Sequence, residues 1–247
     1  MSKFPAMPSE AVPSGGAQRI PRPNGWRPGI EAPWLREGAP RSWPLAAVRH
    51  RLADLPPARP ASESVIDFPA RRRPSAVLVA LFETAGEAHV ILTKRPETMP
   101  SHQGEIAFPG GKLEEGVDAD LRATALREAR EEIGLAPAAV EVVAELDGIG
   151  TVGSRFLISP FVGFVAGVPA LSPDPHEVVR VFDVALVELL APGVHHSERW
   201  TTPMVDHEVH FFDLPGETVW GATARILFGF LAFLTDDGSG TATRAVT

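Results

Sequence analysis

Apolar and polar residues change their pattern several times along the chain, and each pattern predicts an element. Apolar runs at 76–82 (AVLVALF) and 89–93 (HVILT), with a turn at Gly86 between them, predict two strands. A short strand at 105–108 leads into Pro109-Gly110-Gly111. Leu126, Ala129 and Ile133 recur at helical spacing and predict a helix over 121–133, which Gly134 is suited to stop. Strands at 140–146 and 156–165 follow, then a short helix near 184–190, a strand at 208–214 and an apolar helix at 222–234. Upstream, Leu45, Val48, Leu52 and Leu55 predict an amphipathic helix over 43–55, ended by Pro56 and Pro57. Strands outnumber helices and mix with them irregularly, so the fold class is α+β, with mixed sheets between helices.

The two ends read differently. Of the 25 prolines, 13 fall in the first 70 residues, and residues 1–40 show neither helical nor strand periodicity. We therefore expect a proline-rich, partly disordered extension over 1–42, one folded domain over 43–235 and a flexible polar tail over 236–247. Trp26, Trp34 and Trp43 complicate the extension, because tryptophans in such a segment tend to dock on a folded body or a partner. A formal charge of −8 argues against a general binder of nucleic acid or anionic membranes. With no cysteine, disulfides, thiolate metal sites and a cysteine nucleophile are excluded. The longest apolar run, 226–234, is short for a membrane span, and the N-terminal residues lack a signal-peptide core. A cytoplasmic protein is expected.

Composition leaves the chemistry open; the predicted helix at 121–133 does not. Glu128, Glu131 and Glu132 lie three and four positions apart, on one helical face. Like charges at that spacing cost about 0.2–0.5 kcal/mol per pair, a penalty that a cation removes. Hard carboxylate oxygens suit magnesium or manganese, and magnesium at carboxylates usually accompanies phosphate chemistry. The preceding Phe-Pro-Gly-Gly lets backbone approach a ligand closely. Arg127 stands one turn from Glu131 and is placed to pair with it.

Residues 127–135, REAREEIGL, resemble the second half of the Nudix box. The resemblance implies a Nudix fold and hydrolysis of a nucleoside diphosphate linked to another group, with Mg2+ or Mn2+ held on this helix. It makes Glu128 and Glu132 the leading ligands, Glu131 a further ligand or the residue that orients water, the Gly111 carbonyl an extra ligand and Arg127 their orienting partner. The first half of the box departs from the pattern. Ala119 stands where a glutamate is standard, and the stretch from Gly111 to Arg127 is about two residues longer than usual. Asp118, Asp120, Glu114 and Glu115 are the alternatives for that acidic role.

Upstream, 91–95 (ILTKR) and 102–111 (HQGEIAFPGG) are similar to the signature that precedes the box in coenzyme A pyrophosphatases, as are 124–126, 159–163 and 219–224. Pro96 and Pro100 replace a small and a basic residue of that signature. The resemblance implies a small-molecule, coenzyme A-like substrate cleaved to 4′-phosphopantetheine and adenosine 3′,5′-bisphosphate, with no nucleic-acid or membrane partner. Lys94, Arg95, Gly110 and Glu177 are candidate substrate contacts. Some family members form a homodimer, though no pattern here marks an interface. Two alternatives stand beside this reading: a Nudix hydrolase for another nucleoside diphosphate derivative, and a Nudix-fold module that binds a nucleotide without cleaving it. His102 is a weaker site candidate. His195, His196, His207 and His210 read as loop or strand-surface positions, and Trp220 as core packing.

Overall fold

A computed structural model describes residues 15–16, 18, 20–37, 42–61, 73–98, 102–151, 156–201 and 206–236. Its centre is an eight-stranded mixed sheet. Strands β2 (Arg73–Thr84) and β3 (Glu87–Lys94) form an antiparallel hairpin around Gly86, whose φ of 79° suits the turn. Two short strands, β4 (Ile106–Ala107) and β5 (Gly110–Lys112), pair with β3 and β2 respectively. Strands β6 (Val140–Glu145) and β7 (Ile149–Gly150) both pair with β8 (Phe156–Val165), which runs parallel to β2. Strand β9 (Arg180–Ala185) closes against β3.

Because side chains alternate across a strand, β2 serves two cores. Ala76, Leu78, Ala80 and Phe82 pack on one face with Ala125, Ala129 and Ile133 of the helix α3 (Leu121–Ile133). Val79 and Leu81 point the other way, into the larger core with Val90, Leu92 and the helix α5 (Gly221–Thr235). This two-faced burial explains why β2 reads as a continuous apolar run rather than an alternating one. None of the described helices is long and apolar enough to cross a membrane.

A second, four-stranded antiparallel sheet has the order β1 (Arg27–Pro28), β10 (His195–Thr201), β11 (Asp206–Leu214), β12 (Glu217–Trp220). The proline-rich segment contributes more than its composition suggests. It supplies β1 and a short helix, α1 (Pro33–Glu37), and Trp34 is 1% exposed in the large core. Trp43 is buried in the same core, whereas Trp26 stays exposed. The amphipathic helix is shorter than the periodicity predicts: α2 spans Leu45–Leu52, with Leu55 packed beyond it.

Three other expectations need correction. Val184 belongs to β9, and only Leu186–Leu189 form the helix α4. Strands β10 and β12 are additions that hydropathy did not suggest. Two of the four histidines assigned to surface positions lie in the core: His195 and His210, on adjacent strands, are almost fully buried, with Nε2 of one 3.2 Å from Nδ1 of the other. Phe228 of α5 stacks on His210 at 3.9 Å, and Trp34 and Phe212 meet His195 edge-on. The proposed tail beyond Asp236 lies outside the described residues.

Candidate active site

Helix α3 is fixed at both ends by its own sequence. Asp120 caps it by accepting from the Ala123 amide at 2.7 Å, and Gly134 ends it with a left-handed φ of 70°. Ala125, Ala129 and Ile133 anchor it to the sheet, and Leu126 is only partly buried. The glutamate face is consequently not a free surface. Glu132 is 5% exposed, Glu128 is half-buried and Glu131 reaches solvent.

Arg127 organises the neighbourhood. Its Nε and Nη2 donate to the two oxygens of Asp118 at 2.8 and 3.0 Å. Nη2 also donates to Glu128 Oε1 at 3.0 Å and to the Lys112 carbonyl at 3.1 Å, while Nη1 donates to Glu131 at 2.9 Å. Asp118 further accepts from the Glu114 amide and the Thr124 hydroxyl. The Arg127 guanidinium holds the Asp118 carboxyl far below the usual carboxylate range, and Asp118 in turn raises Arg127 further. Of the loop acids, Asp118 is the one paired with Arg127, and Asp120 is the helix cap. Asp118→Asn should cost about 2 kcal/mol of stability, because it removes a charge-assisted pair from a nearly covered guanidinium. Urea unfolding of the variant checks this.

Glu128 and Glu132 border the two glycines that open β5. A side chain at Gly111 would collide with the Glu128 carboxylate, and one at Gly110 would come within 2.7 Å of the Val77 backbone. The Gly110 amide donates to Glu132 Oε2 at 3.1 Å. On the open side, Arg95 Nη1 stands 3.9 Å from Glu132 Oε1. Burial pushes the Glu132 carboxyl up to about 8; Glu128 and Glu177 add to the rise, and the Gly110 amide and Arg95 oppose it. Burial raises Glu128 as well, against the pull of Arg127, with Glu131 and Glu177 adding to it.

The structure thus brings together Glu128, Glu131, Glu132, Arg127, Gly110, Gly111 and Arg95, with Glu177 in electrostatic range. Lys94 is not among them. It lies on the opposite face of the sheet, where its Nζ donates to Glu217 at 2.9 Å. His102 pairs with Glu105 at 2.8 Å in an exposed turn, and that carboxylate raises its pKa. Glu217 and its second partner, Arg180, carried no sequence signal, since the contact joins strands far apart in the chain.

Among the described residues, no three acidic or histidine side chains form a ready cation cage. The donor set still fits magnesium or manganese. Magnesium commonly takes one or two carboxylates and fills its shell with water and substrate phosphate. Glu128 and Glu132 offer two such carboxylates, both raised chiefly by their withdrawal from water.

A NUDIX domain model matches residues 71–215. Nudix hydrolase 22, chloroplastic, of Arabidopsis thaliana is 43% identical over 169 residues, covering 64% of this chain and 55% of that protein. An uncharacterized Nudix hydrolase, NudL, of Photorhabdus laumondii is 35% identical over 138 residues, covering 56% of this chain and 73% of that protein. The chain thus spans little more than half the length of the plant relative. Among solved structures, a MutT/nudix family protein from Enterococcus faecalis aligns over 66% of this chain and 62% of that one, at 17% identity and a TM-score of 0.46. With the family model covering more than half of its residues, and a glutamate helix closed by Arg127 and Asp118, the chain belongs to the Nudix domain family.

Proposed function

We propose that this protein hydrolyses the diphosphate linkage of coenzyme A or its derivatives, giving 4′-phosphopantetheine and adenosine 3′,5′-bisphosphate. The carrying observation is the continuity between the Leu92-Thr93-Lys94-Arg95 strand end and the glutamate helix: Arg95 faces Glu132 directly. A segment similar to the coenzyme A pyrophosphatase signature therefore borders the carboxylates.

Glu128 and Glu132 would hold Mg2+ or Mn2+, with Glu131 and the Gly111 carbonyl as further ligands. Bound there, a divalent cation would supply charge neutralisation for the diphosphate and activation of water. Arg127 fixes the rotamers of Glu128 and Glu131, and Asp118 keeps Arg127 from turning away. Glu132 is held by the Gly110 amide, and the two glycines let the Glu128 carboxylate and the β2 backbone close up against them. Arg95 supplies a positive charge beside these carboxylates and is placed to meet a phosphate oxygen.

Incubation with coenzyme A and magnesium, followed by mass identification of products, tests this reading. The expected result is the two named phosphates in equal amounts. Preferential turnover of ADP-ribose would move the assignment to another nucleoside diphosphate derivative. Binding without product at any magnesium or manganese concentration would favour a non-catalytic module.

A further inference from the structure

Glu217, at the start of β12, gathers three distant parts of the chain. Its Oε1 accepts from Lys94 Nζ and from Arg180 Nη2, each at 2.9 Å, and its Oε2 accepts from Gln18 Nε2 at 3.1 Å. Lys94 and Arg180 face each other directly across β3 and β9. The Glu217 side chain is 6% exposed, whereas those of Lys94 and Arg180 are 26% and 33% exposed. The order from core to solvent is therefore a carboxylate and then two cations. Together these three groups carry one positive charge. A buried carboxylate behind two cationic heads restrains both, so an anion meeting them from the solvent side loses little side-chain freedom.

This cluster borders the carboxylates already described. Arg95 follows Lys94 and turns to the opposite face, toward Glu132, so the two basic heads straddle one strand end. The Val179 amide donates to the Lys94 carbonyl at 2.9 Å. Glu177, which acts electrostatically on Glu128 and Glu132, is only three residues from Arg180, at most about 10 Å of chain. The two groups thus flank the same end of β3, one on each face of the sheet.

We propose that Lys94 and Arg180, positioned by Glu217, form a subsite for a second phosphate: a phosphomonoester on the nucleoside half of the substrate. Which phosphomonoester it is, the 3′-phosphate of coenzyme A, rests on the function proposed above; the subsite itself does not. A purely structural tie between the two sheets would bind no anion.

Calorimetry in EDTA with adenosine 3′,5′-bisphosphate and with adenosine 5′-monophosphate reads the subsite without turnover. The wild-type protein should bind the bisphosphate about tenfold more tightly or better, as expected for charge-assisted hydrogen bonds. Arg180→Gln and Lys94→Met should each bring that ratio to within about threefold of unity, and Arg180→Lys should restore part of it. Circular dichroism confirms that each variant is folded, and Glu217→Gln should weaken discrimination in the same direction. Equal affinities in the wild type, no binding of the bisphosphate, or an unchanged ratio in both Arg180→Gln and Lys94→Met would overturn the proposal. Discrimination in a protein that fails to cleave coenzyme A would remove the substrate assignment and leave the subsite standing. Cleavage of coenzyme A without discrimination would do the reverse.

Discussion

Glu132→Gln should lower magnesium-dependent turnover by ~10²–10³-fold while making the metal-free protein more stable, a loss typical of removing one preorganised electrostatic group. Glutamine keeps the shape and can still accept from the Gly110 amide, so the change isolates the charge. Glu132 has a folded-state pKa raised to about 8, above its ordinary value near 4.5. Between those values the folded protein binds more protons than the unfolded chain, so its stability falls as pH rises from 4.5 to 8. The charged form is then strained at pH 8.5, and glutamine should recover on the order of 2–4 kcal/mol there. Thermal melts at pH 8.5 should show the metal-free variant melting above the wild type. Added magnesium should raise the wild-type melting temperature and leave that of the variant nearly unmoved. A variant that keeps its turnover, or melts below the metal-free wild type, would remove Glu132 from its assigned role.

The second large effect lies at the buried histidine pair of β10 and β11. Desolvation lowers both His195 and His210 to about 3, with the neighbouring Arg225 lowering His210 and the adjacent His210 and His196 lowering His195. Both imidazoles are neutral in the fold and titrate near 6.5 in the unfolded chain. Between about 6.5 and 3 the unfolded chain therefore binds more protons. The stability from this pair is fully present above 6.5 and is lost as the pH falls. At 1.36 kcal/mol per pH unit for each group, several kcal/mol should disappear between pH 7 and 4.5. Glu132 acts with the opposite sign throughout that window, so the slope is best measured in the Glu132→Gln background. His210→Asn should remove roughly half of it. Urea unfolding across this range that showed a flat free energy would mean that the two imidazoles find protons acceptable in the core.

What could be read from the sequence was local. Helix α3 was legible because the apolar stripe and Gly134 lie within one continuous stretch, whereas Asp120 read as a loop acid and only the structure makes it the cap. The pairing of Arg127 with Glu131 followed from helical spacing alone. Asp118 did not, because four acidic residues in the loop compete on paper and only the path of the backbone decides. Strand β10 was hidden by its own composition. Ser197 and Glu198 look like surface residues, yet Glu198 accepts from Trp200 Nε1 and from Arg22 at 2.7 Å, and Ser197 donates to the Ile30 carbonyl. Two of those partners come from the proline-rich segment, so hydropathy fails where the burying surface itself reads as unstructured. The histidine pair depends on the register of the neighbouring strands β10 and β11, and the Glu217 cluster on contacts between strands far apart in the chain.

The two-residue strand β1 has a consequence for how copies of this protein meet. It occupies the outer edge of the four-stranded sheet, where β10 would otherwise offer its backbone groups to any passing chain. Pro28 has no amide hydrogen to donate, so the added strand is a poor template for the next one. The proline-rich segment thus acts as a selvedge over residues 197–199 of β10, making strand addition there unfavourable. A chain deprived of it should be judged by light scattering before it is judged by activity, because exposing the β10 edge invites self-association.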